Sequence, residues 1–278
     1  YYIEAGMDII GAVDPLISQI SPDSFEEFMI GPYSDFFNHV HQKGAYSSFF
    51  VCGDATKNLE GMCRTGTHCL SIDENIDLVK AKEVTDKYGI TLSGNIQLTI
   101  VMLLGTQQDC QQAAIEKMDL MGKKGFILAP GCDMPFDVPK ANVIGISQAV
   151  QNYEATKKAL EHYTKAESDI DIDLPDYENL DRIMIEVFTI DSMTCAACGY
   201  MKEAADDMLE EFPGDVDVIE RKITEPENIA RVGKMGIANL PTIAINGEVT
   251  YVSVIPSRGE LKDAVQNYLD LKGTLVRA

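Results

Sequence analysis

Short apolar runs alternate with stretches in which apolar positions recur every three to four residues, from residue 7 to about 164. This alternation predicts strands over 7–13, 47–51, 69–72, 91–93 and 126–128. It predicts helices from Ser21-Pro22-Asp23, from about Thr56, and over 76–88, 107–121 and about 140–163, with Pro22 suited to a first turn. Phe25, Phe28, Phe36 and Phe37 are expected near one helical face. Five strands, each followed by a helix, point to α/β architecture with a parallel sheet or barrel. A (β/α)8 barrel takes about 250 residues, so residues 1–164 hold only its second half or form a small open sheet. The sequence starts at Tyr1 rather than Met, which favours a barrel portion whose first half lies upstream.

The pattern breaks at 166–181, which holds seven acids and neither Lys nor Arg. Such a run repels itself and stays extended. It is expected to act as a linker, 165–181, between a domain at 1–164 and a second at 182–278. After it the pattern restarts. Strands are expected over 183–188 and 217–221, and helices from Thr194 to about Phe212, over 225–235 and over 261–271. Runs 241–245 and 249–254 read as a hairpin around Asn246-Gly247, a turn-favouring pair.

Composition narrows the function classes. At roughly 150 residues per domain, 278 residues suggest two domains. Hydrophobic residues make up 45% and charged ones 24%, as in soluble globular proteins. A net charge of −21 repels phosphate backbones and anionic lipid, so neither nucleic acid nor membrane is an expected partner. No run of 18 or more apolar residues exists to span a bilayer. The seven cysteines are odd in number and irregular in spacing. They suggest a reducing, cytoplasmic setting, with cysteines used for chemistry or burial. Cys63, Cys69 and Cys110 have no partner at motif spacing and read as buried, while His39, His41, His68 and His162 read as structural.

Cys195-Ala196-Ala197-Cys198 falls between a predicted strand and helix. A helix N-terminus offers unpaired N–H groups and the positive end of the dipole, which favour a thiolate. Cys195 would attack a disulfide and Cys198 would resolve the mixed disulfide. Half a zinc knuckle has the same spacing, so the motif alone leaves both uses open. With Ile237-Ala238-Asn239-Leu240-Pro241-Thr242-Ile243 before a strand, residues 182–275 resemble the thioredoxin fold. The resemblance implies a cis peptide bond at Pro241, facing the CxxC, and a thiol–disulfide exchange partner. The chain departs from thioredoxin itself in lacking the Trp and the Gly-Pro around the motif.

In the first domain the chemistry-bearing residues stand at predicted strand ends: Cys52-Gly53-Asp54, Ser71-Ile72-Asp73-Glu74-Asn75, Gly94-Asn95 and Gly131-Cys132-Asp133-Met134-Pro135. Functional groups gather at the C-terminal ends of strands in parallel α/β proteins. Cys52, Asp73, Glu74, Asn95 and Cys132 could therefore converge. Two thiolates with a carboxylate suit Zn²⁺, and simple burial of the cysteines is the competing reading.

These motifs, in this order, resemble the C-terminal half of the uroporphyrinogen decarboxylase superfamily over about residues 1–155. The branch resembled is that of methylcobamide:coenzyme M methyltransferases and related corrinoid demethylase components. The resemblance implies a (β/α)8 barrel, absent its first half, and a zinc site from a His-x-Cys motif with a later Cys. Cys52 and Cys132 match the two cysteines, and Phe50 stands at the His position, so Asp73 would complete the metal set. Asp54 and Asn95 fall at the expected cofactor-binding positions. The implied reaction is attack of a zinc-activated thiolate on the methyl group of a methylated corrinoid. The corrinoid would arrive on a partner protein, because Asp-x-His-x-x-Gly is absent here. Metal-free decarboxylation of a tetrapyrrole is the alternative; its Gly-His-Gly motif is replaced by Gly131-Cys132-Asp133. A third reading, suggested by Phe50, is a non-catalytic tetrapyrrole- or corrinoid-binding module under redox control. In the first reading, the second domain's dithiol would keep Cys52 and Cys132 reduced or reduce a partner.

Overall fold

The structure, a computed structural model, describes residues 1–164, 170, 172–193, 195–237 and 239–275. Of the expected linker, 165–169 and 171 lie outside the described residues, as do Thr194 and Ala238 of the two C-terminal motifs. The chain divides into two compact units, Tyr1–Lys165 and Ala166–Ala278.

The first unit carries five strands, β1 (Ile9–Val13), β2 (Tyr46–Val51), β3 (Cys69–Ile72), β4 (Thr91–Ile96) and β5 (Phe126–Pro130). They pair in the order β1-β2-β3-β4-β5, every pair parallel. Helices cross between them: α1 (Pro22–Phe28) and α2 (Ile30–Gln42), α3 (Leu59–Arg64), α4 (Leu78–Tyr88) and α5 (Gln107–Met121). α6 (Lys140–Gln151) and α7 (Tyr153–Ala159) follow β5. Five consecutive parallel β/α units with both edges open form a portion of a (β/α)8 barrel.

Local chemistry places the helix ends. The Ser21 hydroxyl accepts from the Ser24 N–H, and the Asp77 carboxylate from the N–H groups of Val79 and Lys80. Thr106 and Asp109 form a reciprocal capping box at α5. Two expectations are corrected. The run 140–163 is not one helix, because Asn152 adopts φ −126°, ψ 46° and interrupts it. The four phenylalanines do not share a face. Neighbouring positions such as Phe36 and Phe37 stand about 100° apart around one helix, so both cannot face the core. Phe25 and Phe37 enter the core, while Phe28 is 62% and Phe36 40% exposed.

Phe49, Val51, Leu70, Ile72 and Leu92 point from the sheet into the helix layer, against Phe25, Phe37 and Met62. Alternation sends Phe50 and its register partners Val13 and Ser71 to the opposite face. On that face Ile9, Val13, Tyr46 and Ile127 are exposed. No described helix is long and apolar enough to cross a membrane.

The second unit has β6 (Ile183–Thr189), α8 (Ala196–Glu211), β7 (Val216–Lys222), α9 (Pro226–Lys234), β8 (Thr242–Ile245), β9 (Glu248–Val252) and α10 (Arg258–Leu275). The sheet order is β7-β6-β8-β9, with β6·β7 parallel and the other pairs antiparallel. This mixed sheet is the arrangement the thioredoxin resemblance implies. Its core joins Ile183, Ile185 and Val187 of β6 to Met201, Ala205 and Met208 of α8 and Leu261 and Val265 of α10.

Candidate functional site

Three strand ends build the mouth of the first unit. β2 runs into Cys52-Gly53-Asp54, β3 into Asp73-Glu74-Asn75 and β5 into Gly131-Cys132. The Cys52 and Cys132 sulfurs, 80 residues apart in sequence, lie 3.1 Å from each other. Both cysteines are half-buried. Gly131 allows the β5 loop to come this close, because a Cβ there would stand 2.6 Å from the Glu74 nitrogen.

Asp73 is 6% exposed and ties two loops together. Its Oδ2 accepts from the Gly53 N–H (2.8 Å), next to Cys52. Its Oδ1 accepts from the Asn75 N–H (3.0 Å) and Nδ2 (2.5 Å). Burial raises the Asp73 pKa, and those hydrogen bonds oppose the rise. Glu74 accepts from the Leu98 N–H (2.5 Å), and burial pushes its carboxyl up to about 7. Asn95, 2% exposed, has its side chain fully engaged. Its amide donates to the carbonyls of Asp73 and Ile76, and its oxygen accepts from Lys117 Nζ at 2.9 Å. Burial lowers the Lys117 pKa. Asp54 is exposed and caps the turn after β2, accepting from the Thr56 N–H and hydroxyl. Thus Cys52, Cys132 and Asp73 gather at one mouth, Asn95 braces it from beneath, and Asp54 faces solvent.

The thiol pair shares its protons unequally. The Cys52 thiol is pushed up and the Cys132 thiol held down, in each case first by the hydrogen bond between them. Lys117 is a residue that sequence reasoning missed. It continues the buried stripe Cys110–Ala114 of α5 at the next helical repeat, and a charged residue on such a stripe was the available signal. A cavity of about 420 Å³ opens on its outer side, lined by Gln97, Asp109, Gln112, Glu116 and Tyr163 besides Lys117.

Cys63 is 2% and Cys110 0% exposed, and burial pushes their thiols up to about 12 and about 11. The thiolate is the form that alkylates. Iodoacetamide at pH 8 is therefore expected to leave both unmodified in the native protein and to label both in denaturant. Peptide mass mapping reads this, and fast native labelling of either would overturn their burial. His41 and His68 are packed together near the opposite ends of the strands, with ring centroids 3.9 Å apart, and both bond Ser47.

In the second unit Cys195 is the N-cap of α8 and is disulfide-bonded to Cys198, with Cα atoms 5.2 Å apart. The Cys198 N–H points to the Cys195 sulfur (3.3 Å). Cys195 is half-buried and Cys198 fully buried. The loop before the motif is pinned at several points. Glu220 accepts from the Thr189 hydroxyl (2.6 Å) and the Ser192 N–H (2.9 Å). Asp191 accepts from Lys222 Nζ (2.8 Å) and the Met193 N–H (3.0 Å), and its carbonyl from the Cys195 N–H (2.9 Å). The Leu240–Pro241 peptide bond, directly before β8, is cis.

Comparison with known proteins follows this division. Residues 1–153 match the uroporphyrinogen decarboxylase (URO-D) family, and residues 183–266 match a thioredoxin domain. Methylcobamide:CoM methyltransferase MtbA of Methanosarcina acetivorans is 24% identical over 155 residues, which are 55% of this chain and 44% of the relative. MtbA of Methanosarcina mazei is 26% identical over 154 residues, covering 54% and 44%. The uroporphyrinogen decarboxylase of Trichodesmium erythraeum is 27% identical over 145 residues, covering 51% and 40%. A solved methyltransferase from Methanosarcina mazei superposes with a TM-score of 0.50 at 30% identity, covering 55% of this chain and 44% of that one. The chain spans less than half the length of these relatives. It belongs to the uroporphyrinogen decarboxylase family and carries a thioredoxin domain after the family segment.

Proposed function

We propose that this member of the uroporphyrinogen decarboxylase family supplies the thiol-activating end of a corrinoid-dependent methyltransferase, joined to a thioredoxin domain that acts as a dithiol oxidoreductase. The observation that carries the reading is the 3.1 Å approach of Cys52 and Cys132 at the C-terminal ends of the strands. Methyltransferases and decarboxylases stand among the relatives at similar identity, so the distinction is chemical. Two sulfurs occupy this mouth, and Cys132 takes the place where the decarboxylase pattern carries a histidine.

The donor set fits zinc at two positions, since thiolates are preferred zinc ligands. Phe50 offers no donor atom. Asp73, whose charge acts on both sulfurs, is the third donor we assign. To serve, it would have to exchange bonds that it now makes to Gly53 and Asn75. As the side chains stand, no three His, Cys, Asp or Glu residues among the described ones form a metal-holding group. Zinc bound here would lower the pKa of an acceptor thiol and keep it as thiolate at neutral pH.

The chain's own contribution is positioning. Asp73 holds the Cys52 loop, Gly131 brings the Cys132 loop to it, and Asn95 with Lys117 braces the Asp73 backbone. The acceptor sulfur forms a bond to the methyl carbon of the corrinoid substrate. The cobalt–carbon bond breaks, and its electron pair stays on cobalt. The corrinoid is delivered by a partner protein, and the acceptor is a small thiol. The five free cysteines fit a reducing compartment such as the cytoplasm.

The test is methyl transfer from methylcobalamin to a panel of small thiols by the full polypeptide, with zinc measured on the same sample. Thiol-dependent loss of methylcobalamin and about one zinc per chain are expected. Both should fall in Cys132→Ala, the rate by at least about a hundredfold. No transfer and no zinc, with carbon dioxide released from a uroporphyrinogen, would establish the decarboxylase reading instead.

A further inference from the structure

We propose that Cys52 and Cys132 are a reversible oxidation site: a small-molecule disulfide converts them to an intramolecular disulfide at the mouth of the first unit. The sulfurs are 3.1 Å apart. A disulfide needs about 2.05 Å, so closure asks for a further approach of about 1 Å. Cys52 directly follows β2, and Cys132 follows β5 after Gly131, so both stand in loops beyond the strand ladders. That approach can therefore be absorbed without breaking a strand pair. Both thiols are half-buried, within reach of a small oxidant, whereas Cys63 and Cys110 are buried. A sulfur pair in contact at 3.1 Å and reachable from solvent is arranged for sulfur–sulfur chemistry.

The exchange balances without a cofactor. One protein thiolate attacks the small disulfide, forms a mixed disulfide and releases one small thiolate. The second protein thiolate attacks the mixed disulfide, closes the Cys52–Cys132 bond and releases the other. Two protein thiols are oxidised, one small disulfide is reduced to two thiols, and the two protons go with them. The oxidised pair has no thiolate left to offer. On the methyl-transfer reading above, oxidation would switch the mouth off, but the inference itself does not depend on that reading.

The experiment uses the full chain, first analysed for zinc, then treated with a chelator and with oxidised glutathione. Free thiols are then blocked and the protein is cut with trypsin without reduction. A cross-link between peptides 44–57 and 125–140 is expected, lighter than the two thiol peptides by two hydrogens and released by dithiothreitol. Cys132→Ser should instead trap Cys52 as a stable glutathione adduct. Free thiols at both positions after oxidation, or glutathione retained on both without a cross-link, would overturn the proposal. The zinc measurement separates the two readings. A cross-link in protein that held no zinc supports oxidation and counts against the metal. Zinc in the untreated protein with no cross-link after chelation overturns oxidation alone.

Discussion

Cys195→Ser is expected to abolish thiol–disulfide exchange by the thioredoxin domain, lowering turnover by at least about a thousandfold. Cys195 caps α8, where the N–H groups of the first turn and the helix dipole favour a thiolate once the bond to Cys198 is reduced. Only Cys195 is reachable, since Cys198 is 0% exposed. Asp191, Glu220 and Lys222 hold the preceding loop, so the sulfur is presented from a fixed position. The partner variant has a different signature. Cys198→Ser keeps the attacking sulfur but cannot resolve, so it should accumulate a mixed disulfide with the substrate protein. The rate is read from dithiothreitol-driven reduction of a disulfide-bonded protein, and the trapped species from its mass. Full activity in Cys195→Ser, or failure of Cys198→Ser to trap, would remove the assignment of roles.

The parallel unit was legible because its strands and helices differ in period, and because parallel neighbours need helical crossovers. The meeting of Cys52 and Cys132 followed in outline from the same rule, since strand ends in a parallel sheet share one rim. What the sequence could not carry was the use of each polar atom. Asp73 reads as a ligand by residue type, and no motif told that its oxygens also accept from the Gly53 and Asn75 backbone and the Asn75 amide. Asn95 reads as a cofactor-binding residue, and its bonds to two carbonyls and Lys117 were not legible in the sequence. These bonds depend on where β3 and β4 place their exits, which no motif encodes. The break at Asn152 is a single-residue backbone event inside a run whose apolar spacing continues past it.

Glu186→Ala is expected to destabilise the thioredoxin domain by about 3–5 kcal/mol, the cost of leaving buried charges without their partner. Glu186 lies on β6, between β7 and β8, and is 0% exposed. Its Oε1 accepts from Arg221 Nε (2.8 Å) and Arg231 Nη1 (3.3 Å), and its Oε2 from the Tyr177 hydroxyl (2.5 Å). Tyr177 comes from the acidic segment before β6, and its ring fits against Gly247, where a Cβ would stand 2.4 Å from it. Truncation removes the common acceptor of three donors. The exposed pair Arg182–Asp217 serves as control, and Arg182→Ala should cost less than about 1 kcal/mol. Urea unfolding of the full chain followed by circular dichroism compares the two. Tyr177 supplies a second readout, because burial and then the Glu186 bond raise its pKa to about 12. The folded value lies above the unfolded value of 10, so this contribution is complete below pH 10 and is lost as pH rises through 12. Tyr177→Phe should lessen the alkaline loss, leaving the part owed to Tyr268, whose pKa burial and Glu248 also raise to about 12, while Glu186 keeps both arginines. A Glu186→Ala cost no larger than that of Arg182→Ala would show that the network orders the Tyr177 segment without stabilising the sheet.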